Sequence, residues 1–300
     1  MALKMEKHQW LLALDGSDDA FETVRYVSRL HSPDKRQLVL FTVYSKIPDV
    51  YWDLQKEPLL RGRLGEMRAW ETHHNQQLGD YMARSKEILL DAGFAPEAIE
   101  IKLQERQKGI ARDIIQEAGQ GYTVVVVGRK DVSKIRGVLL GGVATKLLER
   151  ITMIPMVIVG RGAHLRKILI AFDGSNGSFR AVDRVGALLG GSKCVFNITH
   201  VVRLEESARI AEAERFIAGA FDEAIERLVS QGIARKDIVT QVITGAPSRA
   251  ETLVREAEQG GYGSIVVGRR GLSEVSDFSL GTVSNKVVQL AMHRAVWVVS

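Results

Sequence analysis

Gly268, Gly271, Gly281 and Thr282 follow one another as G-x2-G-x9-G-T, directly after the apolar run 264–267. Residues of these types at this spacing can hold a phosphate. Glycines leave backbone N–H groups bare and accept positive φ, so a phosphate oxygen can come close to them. Thr282 and Ser284 then open a helix, whose free N–H groups and dipole both favour an anion. The chemistry to expect is the cradling of a phosphate ester in a strand–loop–helix turn.

The elements that must position this loop occur twice. The apolar run 10–14 ends in Asp15-Gly16-Ser17, and the run 167–172 ends in Asp173-Gly174-Ser175, an offset of 158. Further on, 123–127 ending in Gly128-Arg129 matches 264–267 ending in Gly268-Arg269, an offset of 140 that Gly141 and Gly281, Val143 and Val283, and Lys146 and Lys286 keep. The offset falls by 18 because the first copy is longer around 45–66. Two copies of about 150 residues each are ordinary domains, so the pattern reads as a tandem duplication. The expected domains are 1–161 and 162–300, joined through the short stretch 161–164.

Composition narrows the class. Apolar residues at 45% and charged residues at 26% describe a soluble globular chain with material for two cores. No window approaches 18 uninterrupted apolar residues, so no transmembrane span is expected. The apolar stretch 10–14 is too short to read as a signal peptide, and Cys194 is the single cysteine. Both suit a cytoplasmic location, with no disulfide. The net charge of +5 divides as 23 Lys/Arg against 21 Asp/Glu over 1–160, and 18 against 15 over 161–300. Basic residues spread so evenly argue against a nucleic-acid footprint.

A coarse pass finds the same order of elements in both copies. In the second, 167–172, 194–202, 238–243, 264–267 and 295–299 read as strands, with helices at 178–189, 205–231, 247–258 and 282–291. In the first, the strands fall at 10–14, 38–44, 100–103, 123–127 and 155–159, with a helix at 67–90. Val- and Ile-rich strands alternating with helices imply an α/β fold of two tandem, open, parallel five-stranded sheets, covered by helices on both faces. Ligands in such sheets bind beyond the carboxyl ends of the strands, where strand order reverses. Asp173 and Gly268 both end strands and are expected to meet at that edge.

These residues resemble the nucleotide-binding universal stress proteins. The resemblance rests on the Asp-Gly-Ser after the first strand and on the G-x2-G-x9-G-[S/T]-V-S loop, and it spans nearly the whole chain twice. It implies a Rossmann-like fold of the adenine-nucleotide alpha-hydrolase type, with ATP or a related adenine nucleotide bound at the loop together with Mg. It also implies roles. Asp173 would lie near the nucleoside and its phosphates, and Val201 would present backbone groups to the adenine edge. Gly268 and Gly271 would border ribose and phosphates, while Gly281, Thr282, Val283 and Ser284 would cradle the phosphates. In this family the last strands often pair across a dimer. Here 155–159 and 295–299 could pair within one chain and make it a pseudo-dimer, and a homodimer beyond that is left open.

The first copy departs from the pattern. Asp131 replaces the second glycine, Gly142 the hydroxyl residue and Ala144 the serine, although Asp15, Gly128 and Gly141 are kept. One intact site, in the second copy, is therefore expected, with a degenerate one in the first. The loop lacks the lysine of a P-loop and no base is placed to orient water, so a nucleotide-dependent stress regulator is preferred to a dedicated ATPase. Slow hydrolysis, or a scaffold in which nucleotide is incidental, are the alternatives. His73 and His74 are adjacent on the expected helix and cannot grip one metal together. Cys194 reads as a small apolar filler, and segment 47–64 as either a lid or a packing surface.

Overall fold

The computed structural model describes residues 8–17, 20–30, 36–46, 61–129, 140–203, 210–271 and 280–300. The first half supplies β1 (His8–Ala13), β2 (Arg36–Tyr44), β3 (Ile99–Glu105), β4 (Val124–Gly128) and β5 (Met156–Val159). The second supplies β6 (Lys167–Ala171), β7 (Val195–Arg203), β8 (Ile238–Ala246), β9 (Ser264–Gly268) and β10 (Ala295–Val299). Each half is parallel throughout, and the order across the molecule is β3-β2-β1-β4-β5-β10-β9-β6-β7-β8. The expected pair of five-stranded sheets thus runs into one ten-stranded sheet.

The join is the antiparallel pairing of β5 with β10, in which Val157 faces Trp297 and Met156 faces Val298. Val157 and Trp297 are also equivalent residues of the two copies, so a local twofold axis passes between them. Two edges that would be open in separate halves are satisfied within one chain. Pro155, which cannot donate to a ladder, stands just outside β5, where its carbonyl accepts from the Val125 N–H at 3.0 Å.

Side-chain alternation along each strand divides the core between the two faces of the sheet. Trp10, Leu12, Val126, Val157 and Trp297 belong to one apolar cluster, and Leu11, Val125, Val127, Ile158 and Val296 to the other. The first face is covered by α1 (Ala20–Ser28), α2 (Arg61–Asp91), α5 (Asn176–Leu189) and α6 (Ile210–Ser230). The second is covered by α3 (Ile110–Ala118), α4 (Gly142–Arg150), α7 (Arg249–Gln259) and α8 (Thr282–Leu290). α2 begins six residues before the expected start, and residues 47–60 of the longer first-copy segment lie outside the described residues, as does Asp131. Cys194 is buried in the core.

Polar side chains lock the join. Trp297 Nε1 donates to the Tyr26 hydroxyl at 2.7 Å, which pairs with Ser264 Oγ at 2.8 Å, and Ser264 in turn donates to the His164 carbonyl at 2.7 Å. Because Ser264 spends its proton on the carbonyl, Tyr26 is the donor to Ser264. Trp297 also meets Trp10 edge to face, with centroids 5.9 Å apart, a geometry worth about 1 kcal/mol beyond area burial.

Candidate functional site

At the carboxyl end of β6 the chain turns sharply into α5. Gly174 has φ +75°, in the left-handed region, and the Asp173 carboxylate accepts the Ser175 N–H at 3.0 Å. Ser175 then caps α5 by accepting from the Ser178 N–H at 3.3 Å. The first half repeats this turn, with Gly16 at φ +74° and both the N–H and the hydroxyl of Ser17 donating to Asp15. The local sequence Asp-Gly-Ser explains both turns.

β9 ends beside this turn, because β6 and β9 are neighbours at the point where strand order reverses. The two strand ends meet as expected, and glycine permits the approach. A Cβ on Gly271 would stand 2.5 Å from Asp173 Oδ2, and one on Gly268 would stand 2.9 Å from the backbone of Gly177. Gly177 presses against the Arg270 carbonyl, which occupies the place a Cβ of its own would take. Asp173, Gly268 and Gly271 therefore share one small region.

The loop closes onto α8. The Gly281 N–H donates to the Arg269 carbonyl at 2.8 Å, and Gly281 is the N-cap residue without a side chain to cap with. The N–H groups of Thr282, Val283 and Ser284 have no acceptor within the helix. Thr282 is exposed, Val283 half-buried and Ser284 buried. Ser284 Oγ donates to the Gly268 carbonyl at 2.6 Å. Its proton is thus engaged in tying α8 to β9, and what Ser284 can offer an anion is its N–H. The resulting geometry sets Gly268 and Gly271 beside the Asp173 turn, with the uncapped start of α8 following Gly281.

Val201 stands one strand further out, on β7. The strand continues past it to Arg203 with a bulge between the two, so Val201 is not the strand end. Its carbonyl accepts from Arg249 Nε at 3.2 Å, and the neighbouring His200 ring bonds the Phe172 carbonyl at 2.8 Å. In the first half, Gly141 is likewise an uncapped N-cap, but Gly142 and Ala144 put no hydroxyl at the start of α4.

Three features of the site lie outside the sequence reading. Gly177 stands just ahead of the helix expected from 178, Arg249 falls inside the helix expected over 247–258, and the arginine of the Gly-Arg pair repeated at 128–129 and 268–269 has no assigned role. Arg269 leaves its loop and donates to the carbonyls of Leu148 at 2.8 Å and Ile151 at 2.6 Å, at the carboxyl end of α4 in the other half. Arg129 does the reciprocal thing, donating through Nη2 to the Val288 carbonyl of α8. Burial lowers the pKa of both guanidinium groups, to about 10 for Arg129, with Arg270 adding to the effect on Arg269. Both remain charged at neutral pH, as suits cations at helix carboxyl ends.

Comparison with known proteins agrees with this architecture. The model of the Universal stress protein family matches residues 8–160 and again 164–300. Universal stress protein YxiE of Bacillus subtilis (strain 168) is 29% identical over 141 residues, covering 42% of this chain and 93% of YxiE. The crystal structure of a universal stress protein from Archaeoglobus fulgidus DSM 4304 superposes with a TM-score of 0.65, at 17% identity and with 99% of each chain covered. A universal stress protein crystallised in complex with cAMP matches 45% of this chain and 96% of its own, at 27% identity and a TM-score of 0.35.

Proposed function

The chain belongs to the universal stress protein family as a tandem member, and from that premise we propose that its second half, 162–300, binds ATP or a related adenine nucleotide and acts as a cytoplasmic stress-response regulator. One observation carries the reading: a Cβ on Gly271 would lie 2.5 Å from the Asp173 carboxylate, beside the uncapped start of α8. A side chain at Gly271 would collide with the Asp173 carboxylate at the place this reading gives to the phosphates. In this reading the N–H groups of Thr282, Val283 and Ser284 and the Thr282 hydroxyl face the phosphates, with Gly268, Gly271 and Gly281 alongside. Val201 bounds the base, and the base takes Val201 backbone capacity that Arg249 leaves unused.

Mg fits the donor set. Asp173 would supply one carboxylate, and Mg commonly binds through one or two carboxylates together with phosphate oxygens and water. The first half, 1–161, keeps the Asp15 turn but lacks the hydroxyls at 142 and 144, so it is read as degenerate toward nucleotide. Binding rather than turnover is the activity proposed, because the carboxylate at the loop, Asp173, is given to Mg and the loop lacks the lysine of a P-loop.

The test is the nucleotide content of purified protein, released by denaturation and identified by mass spectrometry, followed by ATP calorimetry. Gly281 has φ −64°, which any residue adopts, and Asp is a favourable N-cap, so Gly281→Asp should fold while placing a negative charge in the cradle. One ATP per chain, lost in Gly281→Asp and kept in Gly141→Asp, is the expected result. Absence of binding in the parent chain would overturn the proposal, and steady ATP turnover above a Gly281→Asp blank would replace a regulator with an enzyme.

A further inference from the structure

The ten-stranded sheet ends in β3 on one side and in β8 on the other. Among the described residues β3 therefore has a strand neighbour, β2, on one side only. One bond gives the direction of its free groups. The Arg106 N–H donates to the Tyr44 carbonyl of β2 at 2.7 Å, and successive residues alternate, so 100, 102 and 104 also turn their N–H and C=O toward β2. Ile99, Ile101, Leu103 and Glu105 turn theirs outward. The Ile99 N–H is spent on the Pro96 carbonyl and the Glu105 carbonyl on Gln107 Nε2 at 3.4 Å. Both backbone groups of Ile101 and Leu103 are left facing an edge that no described strand covers.

The side chains of this edge are unlike those of β8. Ile101 and Leu103 are 38% and 48% exposed, on the face that α2 covers. Glu100 and Lys102 lie on the opposite face, and Lys102 Nζ is folded onto Glu117 of α3 at 2.6 Å. Lys102 thus does not project past the edge as a guarding lysine does. At the other end of the sheet, Thr240 and Val242 of β8 stand where β3 has Ile101 and Leu103, and β8 carries no charged residue. A register shift between Val201 and Arg203 also interrupts the pairing of β7 with β8, whereas β2 and β3 pair without a break from Leu38 to Tyr44. A regular edge with exposed apolar side chains is a template for a further strand, and a bulged edge is a poor one.

The strand is complementary to itself in a single register. Two copies of β3 pair antiparallel only where outward groups meet outward groups, which places the twofold axis on a residue and not between residues. An axis on Glu100 or Lys102 sets like charges directly opposite each other, which is unfavourable. An axis on Leu103 sets Ile101 against Glu105, whose carboxylate Lys46 holds at 2.7 Å. An axis on Ile101 sets Glu100 of each copy against Lys102 of the other on the α3 face, and Ile99 against Leu103 on the α2 face. Ile101 then exchanges N–H and C=O with its own counterpart, and each Leu103 N–H meets an Ile99 carbonyl.

We propose that β3 is a docking edge for a second copy of this chain, paired antiparallel about a twofold axis through Ile101. The join of β5 to β10 uses the same antiparallel device within one chain. Pairing buries Ile101 and Leu103 of both copies in one apolar stripe and pairs Glu100 with Lys102 across the axis. Because each copy spends its β3 edge on the other, the assembly closes at the dimer. The paired stretch, 99–103, is short, so the dimer is weak, with a dissociation constant on the order of 10 µM. The surface is separate from the glycine loop of the second half, and the proposal stands whether or not that half binds ATP.

Sedimentation velocity of the full chain over about 1–300 µM, a range that spans this constant, tests it. The expected result is a reversible monomer–dimer equilibrium that goes no further than the dimer. Ile101→Lys and Glu100→Lys should each weaken it by about tenfold or more, the second by setting Lys against Lys102 twice. Val239→Lys, on β8, should leave it unchanged. All three positions are exposed on edge strands, so the variants are expected to keep the urea midpoint of the parent. Exchange of the Ile101 and Leu103 amide hydrogens should slow as the parent is concentrated. A monomer throughout the range, or a dimer indifferent to both β3 substitutions, would overturn the proposal. So would protection of those two amides that is already complete in the dilute monomer, since the chain itself would then cover the edge.

Discussion

Arg129 and Arg269 hold equivalent positions in the two copies, and each reaches out of its own half to carbonyls at the carboxyl end of the other half's last helix. Each arginine directly follows the glycine that ends the fourth strand of its copy. The backbone of Arg269 also accepts the Gly281 N–H of the loop. The glycine loop of the second half and α4 of the first are thus held by one residue.

Arg269→Ala removes two hydrogen bonds to buried carbonyls and should cost about 3 kcal/mol of stability. The check is the urea midpoint of the full chain. Arg269→Lys should recover less than half of the loss, since an ammonium cannot fork to the Leu148 and Ile151 carbonyls as a guanidinium does.

Tyr26→Phe keeps the ring and deletes the hydroxyl between Trp297 and Ser264. The indole N–H then loses its acceptor within a fully buried site, at a cost of about 2 kcal/mol. Thermal unfolding followed by tryptophan fluorescence measures it. Burial already raises the Tyr26 pKa, with the bonds to Ser264 and Trp297 opposing, so the phenol stays neutral through the working pH range.

Gly271→Ala sets a methyl carbon against Asp173 Oδ2 and must displace the carboxylate or the loop. If nucleotide binds there, affinity should fall by about tenfold or more while stability changes by less than about 1 kcal/mol, because Gly271 itself is half-buried. ATP calorimetry beside a denaturation curve separates the two effects.

Asp113 supplies a pH dependence whose sign is determined. Burial opposes its charge, but the N–H groups of Lys108, Gln107 and Gly109 hold its pKa below the ordinary carboxylate value. Its stabilising contribution is therefore complete above about pH 4, the unfolded value, and is lost as pH falls through the lower folded value. Asp113→Asn should be less stable than the parent at neutral pH. The two urea midpoints should converge as pH is lowered below about 4.

Much of this molecule is legible in the sequence. The runs 264–267 and 167–172 read as buried strands because a sheet covered on both faces needs continuous Val and Ile. Asp-Gly-Ser announces its turn because positive φ favours glycine and the Asp carboxylate accepts the next-but-one N–H. Asp173 and Gly268 each end a strand, and the pairing of β6 with β9 brings those ends together, with Gly271 against the Asp173 carboxylate. Val201 was harder: whether a strand stops or continues through a bulge depends on its partner β8, which is distant in sequence.

Local pattern determined the elements, the duplication and the composition of the loop, because strand period, turn chemistry and helix starts are set by neighbours within a few residues. Tertiary structure alone decided that two sheets become one, that Arg129 and Arg269 cap each other's half, and that Ser264, Tyr26 and Trp297 form one chain of hydrogen bonds. Such relations join residues tens to hundreds of positions apart, and only the pairing of β5 with β10 and the packing of helices onto the sheet bring them within reach.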